Sequence, residues 1–168
     1  KVDERTLPVV LGDMATTRAP GRLALGYLAF NTTSHLPTQD EQVECFRNAA
    51  RHLLPGGRFV VELWVPELRS LPPGKDATVG VVEPGYVLFD TYDVLHQRVV
   101  SHHVTFGPGR EARLDRSPHR YVWPAELDLM GRLARFALES RHADWRGAPF
   151  TADSPSHVSV YRLPGEDS

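Results

Sequence analysis

The chain has 168 residues, 41% of them hydrophobic and 24% charged, which fits a single globular domain of the soluble class. Its formal net charge of -2 excludes recruitment of nucleic acid by bulk electrostatics. The lone cysteine, Cys45, excludes an intrachain disulfide, and no apolar run nears the ~20 residues that span a membrane.

With no signal peptide at its start, the chain reads as cytoplasmic, with neither nucleic acid nor membrane among its expected partners. Of its 19 basic residues only Lys1 and Lys75 are lysine. The arginines are scattered, which marks GC-rich coding and not a binding patch. Cys45 falls within a helical pattern and reads as a small buried hydrophobe, not a nucleophile.

Residues 7–11, LPVVL, read as a short strand ended by Gly12-Asp13-Met14. A polar link over 15–22 leads into the apolar run 23–30, which suits a strand buried on both faces. That run turns polar at once, through Asn31, Thr32, Thr33, Ser34 and His35. The carboxyl end of a strand is where open α/β sheets bind ligands. The link between these two strands is too short for a helical crossover, so they are not parallel neighbours.

A helix is marked over 38–54. Thr38 and Glu41 make a Thr-x-x-Glu capping box, and Val43, Phe46, Ala49, Ala50, Leu53 and Leu54 form an apolar stripe. Pro55-Gly56-Gly57 should stop it. Residues 58–65, RFVVELWV, then read as a buried strand, which completes a βαβ unit. The proline- and glycine-rich stretch 66–85 reads as a loop or lid.

Between 86 and 122 the pattern changes to strands at 87–89, 98–106 and 113–122, an antiparallel ribbon of two or three strands with one open face. Gly107-Pro108-Gly109 is its turn. Pro124 opens a helix running to about Phe136; 137–144 is a strand, 145–156 a loop, and 157–163, HVSVYRL, a closing strand.

In this order the pieces resemble the later part of a class I S-adenosylmethionine-dependent methyltransferase. The strand ending in Gly12-Asp13-Met14 resembles that family's third strand, the 23–30 strand its fourth, and LLPGGRFVVEL its helix end and fifth strand. The inserted ribbon resembles that of bacterial small-molecule and sugar N-methyltransferases. The fold implied is α/β, a Rossmann-like sheet incomplete at its amino-terminal side, with an inserted antiparallel ribbon. The organisation implied is one domain: 1–65 core sheet, 66–85 loop or lid, 86–122 ribbon, 123–168 closing elements. The family's first strand with its glycine-rich loop, and its second strand with an acidic end, have no counterpart before Asp13. Two readings stay open: a domain whose first third precedes Lys1, or a non-catalytic, degenerate partner protein.

The resemblance implies S-adenosylmethionine as cofactor and a small-molecule methyl acceptor, at nitrogen or oxygen. Asp13 and Met14 would meet the adenine, and Phe30, Asn31 and Thr32 would line the methyl-donor end. Such transfer depends on placing a nucleophile in line with the methyl group and excluding water. His35 is the candidate base, since a neutral imidazole accepts a proton near pH 7. The ribbon carries His102, His103 and His119; alternation sends His102 and His103 to opposite faces, and His103 is the one taken as inward. Trp64, Tyr86 and Tyr121 are candidate walls for the acceptor. No metal is expected, because the histidines lack metal-ligand spacing.

Overall fold

The computed structural model describes residues 9–109 and 111–165. In chain order the strands and helices are β1 (Leu23–Leu28), α1 (Gln39–His52), β2 (Leu53–Trp64), β3 (Ala77–Glu83), β4 (Tyr86–Asp93), β5 (Arg98–Phe106), β6 (Ala112–Arg120), α2 (Pro124–Leu133), β7 (Ala137–His142) and β8 (Ser156–Arg162). They form two sheets of four strands, ordered β1-β2-β8-β7 and β3-β4-β5-β6.

The first sheet begins as the βαβ unit read from the sequence. β1 and β2 pair in parallel with α1 between them, and β8 and β7 add on antiparallel. The α1 start follows its capping box. Thr38 Oγ1 accepts from the Glu41 N–H at 3.2 Å, and Glu41 Oε2 accepts from the Thr38 N–H at 3.0 Å. Its end differs from expectation. The helix stops at His52 because Leu53 is already extended, and Pro55-Gly56-Gly57 lie inside β2 as a bulge. The pairing jumps there from Leu23↔Leu53 to Leu25↔Arg58. Gly56 takes φ +75°, and a Cβ on Gly57 would sit 2.8 Å from the Leu54 carbonyl oxygen, so the bulge needs both glycines.

The core lies on one face of this sheet. Phe46 from α1, Leu127 and Met130 from α2, Phe59, Val61 and Leu63 from β2, and Tyr161 from β8 form one buried cluster. The Phe46 ring meets Phe59 edge-on at 5.1 Å and Tyr161 at 5.5 Å. α2 comes close because position 131 is glycine: a Cβ there would lie 3.1 Å from the Tyr161 ring.

On the opposite face Val60 and Val158 are buried but β1 is exposed, and this corrects the expectation of a first strand buried on both faces. Leu23, Leu25 and Tyr27 are 51%, 51% and 65% exposed. Among the described residues β1 has a single neighbour, β2, so nothing covers that edge. Residues 9–11 are corrected too. Val9, Val10 and Leu11 are exposed coil and not strand, because no described strand offers them a ladder; Leu7 and Pro8 lie outside the described residues.

The ribbon is larger than expected. The stretch 66–85, read as a loop or lid, contains β3, which pairs with β4 from Ala77↔Thr91 to Glu83↔Tyr86. Its prolines and glycines hid a strand whose only long apolar run is the short Val79–Val82 stretch, with Gly80 at a register shift. β5 continues the antiparallel order to β4 and β6. Among the described residues no helix is long and apolar enough to cross a membrane.

Candidate active site

The carboxyl end of β1 is a tight, strained corner. Phe30 and Asn31 are consecutive non-glycine residues with φ 54° and 57°. Left-handed backbone costs an L-residue roughly 1–2 kcal/mol, so a pair persists only where neighbours hold it. The neighbours are present. The Phe30 N–H donates to Glu62 Oε2 at 2.8 Å, and the Trp64 N–H donates to Asn31 Oδ1 at 2.7 Å. The Thr32 hydroxyl donates to the Ala29 carbonyl. A single 3-10 turn, Thr32–His35, follows and carries Ser34 and His35 toward the ribbon.

Ser34 and His119 lock together there. The Ser34 hydroxyl donates its one proton to the Asn31 carbonyl at 2.7 Å, and its oxygen lies 3.0 Å from His119 Nδ1. With that proton committed, Ser34 Oγ can only accept, so Nδ1 of a neutral His119 carries the hydrogen and Nε2 carries the lone pair. Burial lowers the His119 pKa from its ordinary value, and neighbouring His35, with rings 4.6 Å apart, lowers it further against the opposing pull of Asp90. The imidazole is therefore neutral near pH 7 and can accept a proton.

A cleft of about 680 Å³ opens between this corner and the ribbon. Phe30, Asn31, His35, Trp64 and Val65 wall it on one side. The ribbon supplies Thr78, Asp90, Tyr92, Val99, Ser101 and His119. The pairings Thr78↔Asp90, Asp90↔Ser101, Tyr92↔Val99 and Val99↔His119 put all of these on one face. Burial raises the Tyr92 pKa, so its phenol stays protonated.

Of the residues singled out in the sequence, Phe30, Asn31, His35 and Trp64 meet in this cleft, with His35 exposed at its rim. Thr32 sits beside it with its hydroxyl turned to the backbone. Tyr121 lies behind it, buried, 6.3 Å from the Trp64 ring. Tyr86 and His103 bind each other, hydroxyl to Nδ1 at 2.7 Å, and do not line the cleft. His102 is on the far face, stacked on Phe89 at 4.5 Å. Asp13 and Met14 lie on the link before β1, also outside the cleft lining. Asp13 is exposed, with Oδ1 accepting from the Ala15 N–H at 2.7 Å. Met14 packs on Ala15, Leu36 and Cys45. Asn48 pins this link by donating to the Met14 and Thr17 carbonyls at 3.0 and 2.9 Å.

Sequence reasoning missed Asp90, Tyr92 and Ser101 and did not single out His119 from the other ribbon histidines. The signal was period two: Tyr86, Leu88, Asp90 and Tyr92 alternate onto one face of β4. An aspartate in the middle of a strand was its polar member. Among the described residues no group of three or more His, Cys, Asp or Glu is arranged to hold a metal ion.

No family model matches the chain. It is 25% identical over 169 residues to a cypemycin N-terminal methyltransferase from Streptomyces sp., covering 94% of this chain and 65% of that protein. Its fold superposes on the CcbJ methyltransferase from Streptomyces caelestis with a TM-score of 0.83 and 38% identity, over 93% of this chain and 63% of the other. CalS10 from Micromonospora echinaspora, an amino pentose methyltransferase solved with S-adenosylmethionine bound, matches with a TM-score of 0.65 and 18% identity, over 95% of this chain and 67% of the other. The chain thus spans less than two thirds of the length of the first two. In sequence and fold together, the chain is similar to S-adenosylmethionine-dependent methyltransferases and has a matching α/β fold over somewhat under two thirds of the length of the first two.

Proposed function

We propose that this protein transfers a methyl group from S-adenosylmethionine to a small molecule bound in the cleft between β1, β2 and the ribbon. The observation that carries the reading is the Phe30–Asn31 corner. Strained backbone at the carboxyl end of a parallel strand, pinned by Glu62 and Trp64, faces a cleft with a neutral histidine across it.

The residues present suit an adenosyl group. Asp13 offers an exposed carboxylate with one oxygen beyond the Ala15 contact. The Phe30 ring is 88% exposed and can stack on a base or ribose. Asp13, Met14 and Phe30 would hold the cofactor, with Asn31 and Thr32 shaping the corner. When bound, S-adenosylmethionine supplies a methyl group on a sulfonium, already a strong electrophile. The chain's own work is to orient the acceptor, exclude water and accept a proton. His119 Nε2 is better placed for that than His35, because its tautomer is set by Ser34 and it is half-buried. Two of the three similar proteins named above favour amine-bearing acceptors: one is an N-terminal methyltransferase, another an amino pentose methyltransferase.

Calorimetry with S-adenosylhomocysteine on the intact protein tests the reading. Binding that weakens in Asp13→Ala supports it, and no heat of binding overturns it. A second reading is a methyltransferase-like partner without catalysis. Transfer of labelled methyl from S-adenosylmethionine to any acceptor rules it out.

A further inference from the structure

Asp90 stands at mid-strand on β4, flanked by Thr78 on β3 and Ser101 on β5, so it occupies the centre of the ribbon face that floors the cleft. Its Oδ1 is buried and has no hydrogen-bond partner among the described residues. A carboxylate oxygen withdrawn from water with nothing in return is costly, and native proteins keep few of them. Among the described residues the cleft lining holds two carboxylates, Asp90 and Glu67, and provides no lysine or arginine as an internal counter-ion. His119 does not neutralise the charge, since it is half-buried and held in its neutral form by burial and by His35. Trp64 and Tyr92 add aromatic surface to the same space, and aromatic faces attract cations. The face continues past Asp90 to His103, already occupied by the Tyr86 hydroxyl.

We propose that Asp90 is the anchor for a positively charged amine, so that the cleft selects ammonium-bearing acceptors over alcohols of the same shape. The inference rests on reading this cleft as the acceptor site. An ammonium brings both charge and several donors to the orphaned oxygen, whereas a hydroxyl brings one neutral donor; charge-assisted bonds are the stronger by about twofold in energy. Glu67 is exposed, so solvent screens it, and it contributes less to the selection.

The probes are benzylamine and benzyl alcohol, titrated into the intact protein and followed by amide chemical shifts in NMR. Benzylamine should bind at least about tenfold more tightly, and Asp90→Asn should bring the two within about threefold. Glu67→Gln should keep most of the preference. Equal binding of the two probes to the wild-type protein, or a preference that survives Asp90→Asn, overturns the proposal. Should Asp90→Asn fail to fold, the carboxyl carbon shift of Asp90 in the wild-type protein decides: it must move with benzylamine and stay put with benzyl alcohol, and the opposite result overturns the proposal. Methyl transfer is read separately, as label leaving S-adenosylmethionine. Transfer to alcohol acceptors alone overturns this inference and leaves the methyl-transfer reading standing; amine selectivity with no transfer supports the inference and overturns that reading.

Discussion

Gln42 and Arg120 hold each other by two hydrogen bonds that run in opposite directions. Arg120 Nη1 donates to Gln42 Oε1 at 2.5 Å, and Gln42 Nε2 donates to the Arg120 carbonyl at 3.2 Å. Both residues are buried, one in α1 and the other at the last position of β6. Gln42 Nε2 also lies within reach of the Thr33 and Leu36 carbonyls, so one side chain ties the helix, the 3-10 turn and the ribbon together. The position of His119 against Ser34, one residue before Arg120, depends on that tie.

Arg120 closes the same network onto Glu126 at 2.7 Å, with the two side chains 7% and 15% exposed. Burial works to raise the Glu126 pKa, but hydrogen bonds from Arg120, Gln97 and Gln39 outweigh it and hold the carboxyl below its usual range. Arg120→Ala leaves this carboxylate uncompensated and should cost about 3–5 kcal/mol. Gln42→Leu should cost less, about 1–3 kcal/mol. Denaturant unfolding monitored by fluorescence measures both; a loss below 1 kcal/mol for Arg120→Ala would show the network to be incidental.

The Phe30–Asn31 corner should be sensitive to its side-chain clamp. Asn31→Ala removes the acceptor of the Trp64 N–H and leaves a Cβ in left-handed backbone, for a loss of about 1–3 kcal/mol. Asn31→Gly loses the same bond but relieves the backbone, so it should be the milder change. Thermal melting of the pair measures the order, and a reversed order contradicts the strain argument.

His157 makes the fold less stable in acid. Burial, then the Arg141 charge, lowers its pKa from 6.5 to about 4, against a smaller pull from Asp128, and its Nε2 has no partner among the described residues. Below pH 6.5 the unfolded chain gains a proton that the folded chain refuses, so stability falls as pH drops from 6.5 toward about 4 and its contribution then levels off. The full effect is up to about 3 kcal/mol. His157→Gln should show a shallower loss across that window in urea unfolding. Parallel pH profiles for the two proteins would contradict the assignment.

Cys45 should be inert while the protein is folded. Burial, with Asp13 adding to it, pushes its thiol up to about 12. A thiol reagent should therefore label it only on unfolding, at a rate that follows denaturant. Rapid labelling of the native protein would mean that the Ala15–Leu36–Cys45 cluster opens.

With His119 as the proposed proton acceptor, the acid side of the methyl-transfer profile should follow its titration. Because burial and His35 lower its pKa, the proton-accepting form persists below the ordinary histidine range, and rate should rise with pH through a value under 6.5. His119→Gln should remove that limb and lower the rate by roughly 10²–10⁴-fold. His35→Gln should change the rate far less, its ring being exposed at the rim. The rate-against-pH curves of the two variants separate these roles.

Local chemistry was legible in the chain. The capping box placed the start of α1, its apolar stripe placed Phe46 in the core, and the switch at Asn31 marked the strand end where the cleft forms. These features act over three to seven residues, within reach of periodicity and turn chemistry. Which face of the β1 strand is covered was not legible, because Leu23, Leu25 and Tyr27 read as core wherever a neighbour exists, and exposure depends on an element elsewhere. Nor was β3, since Gly80 and the flanking prolines mask a strand that exists only by pairing with β4. His119 and Asp90 look like other polar strand residues until sheet register puts them on one face across from Ser34 and Trp64. Sequence determined where α1 starts and where the first strand gives way to the polar corner at Asn31. Tertiary structure alone decided which residues meet there, because register, side-chain tautomer and buried charge are properties of neighbours far apart in the chain.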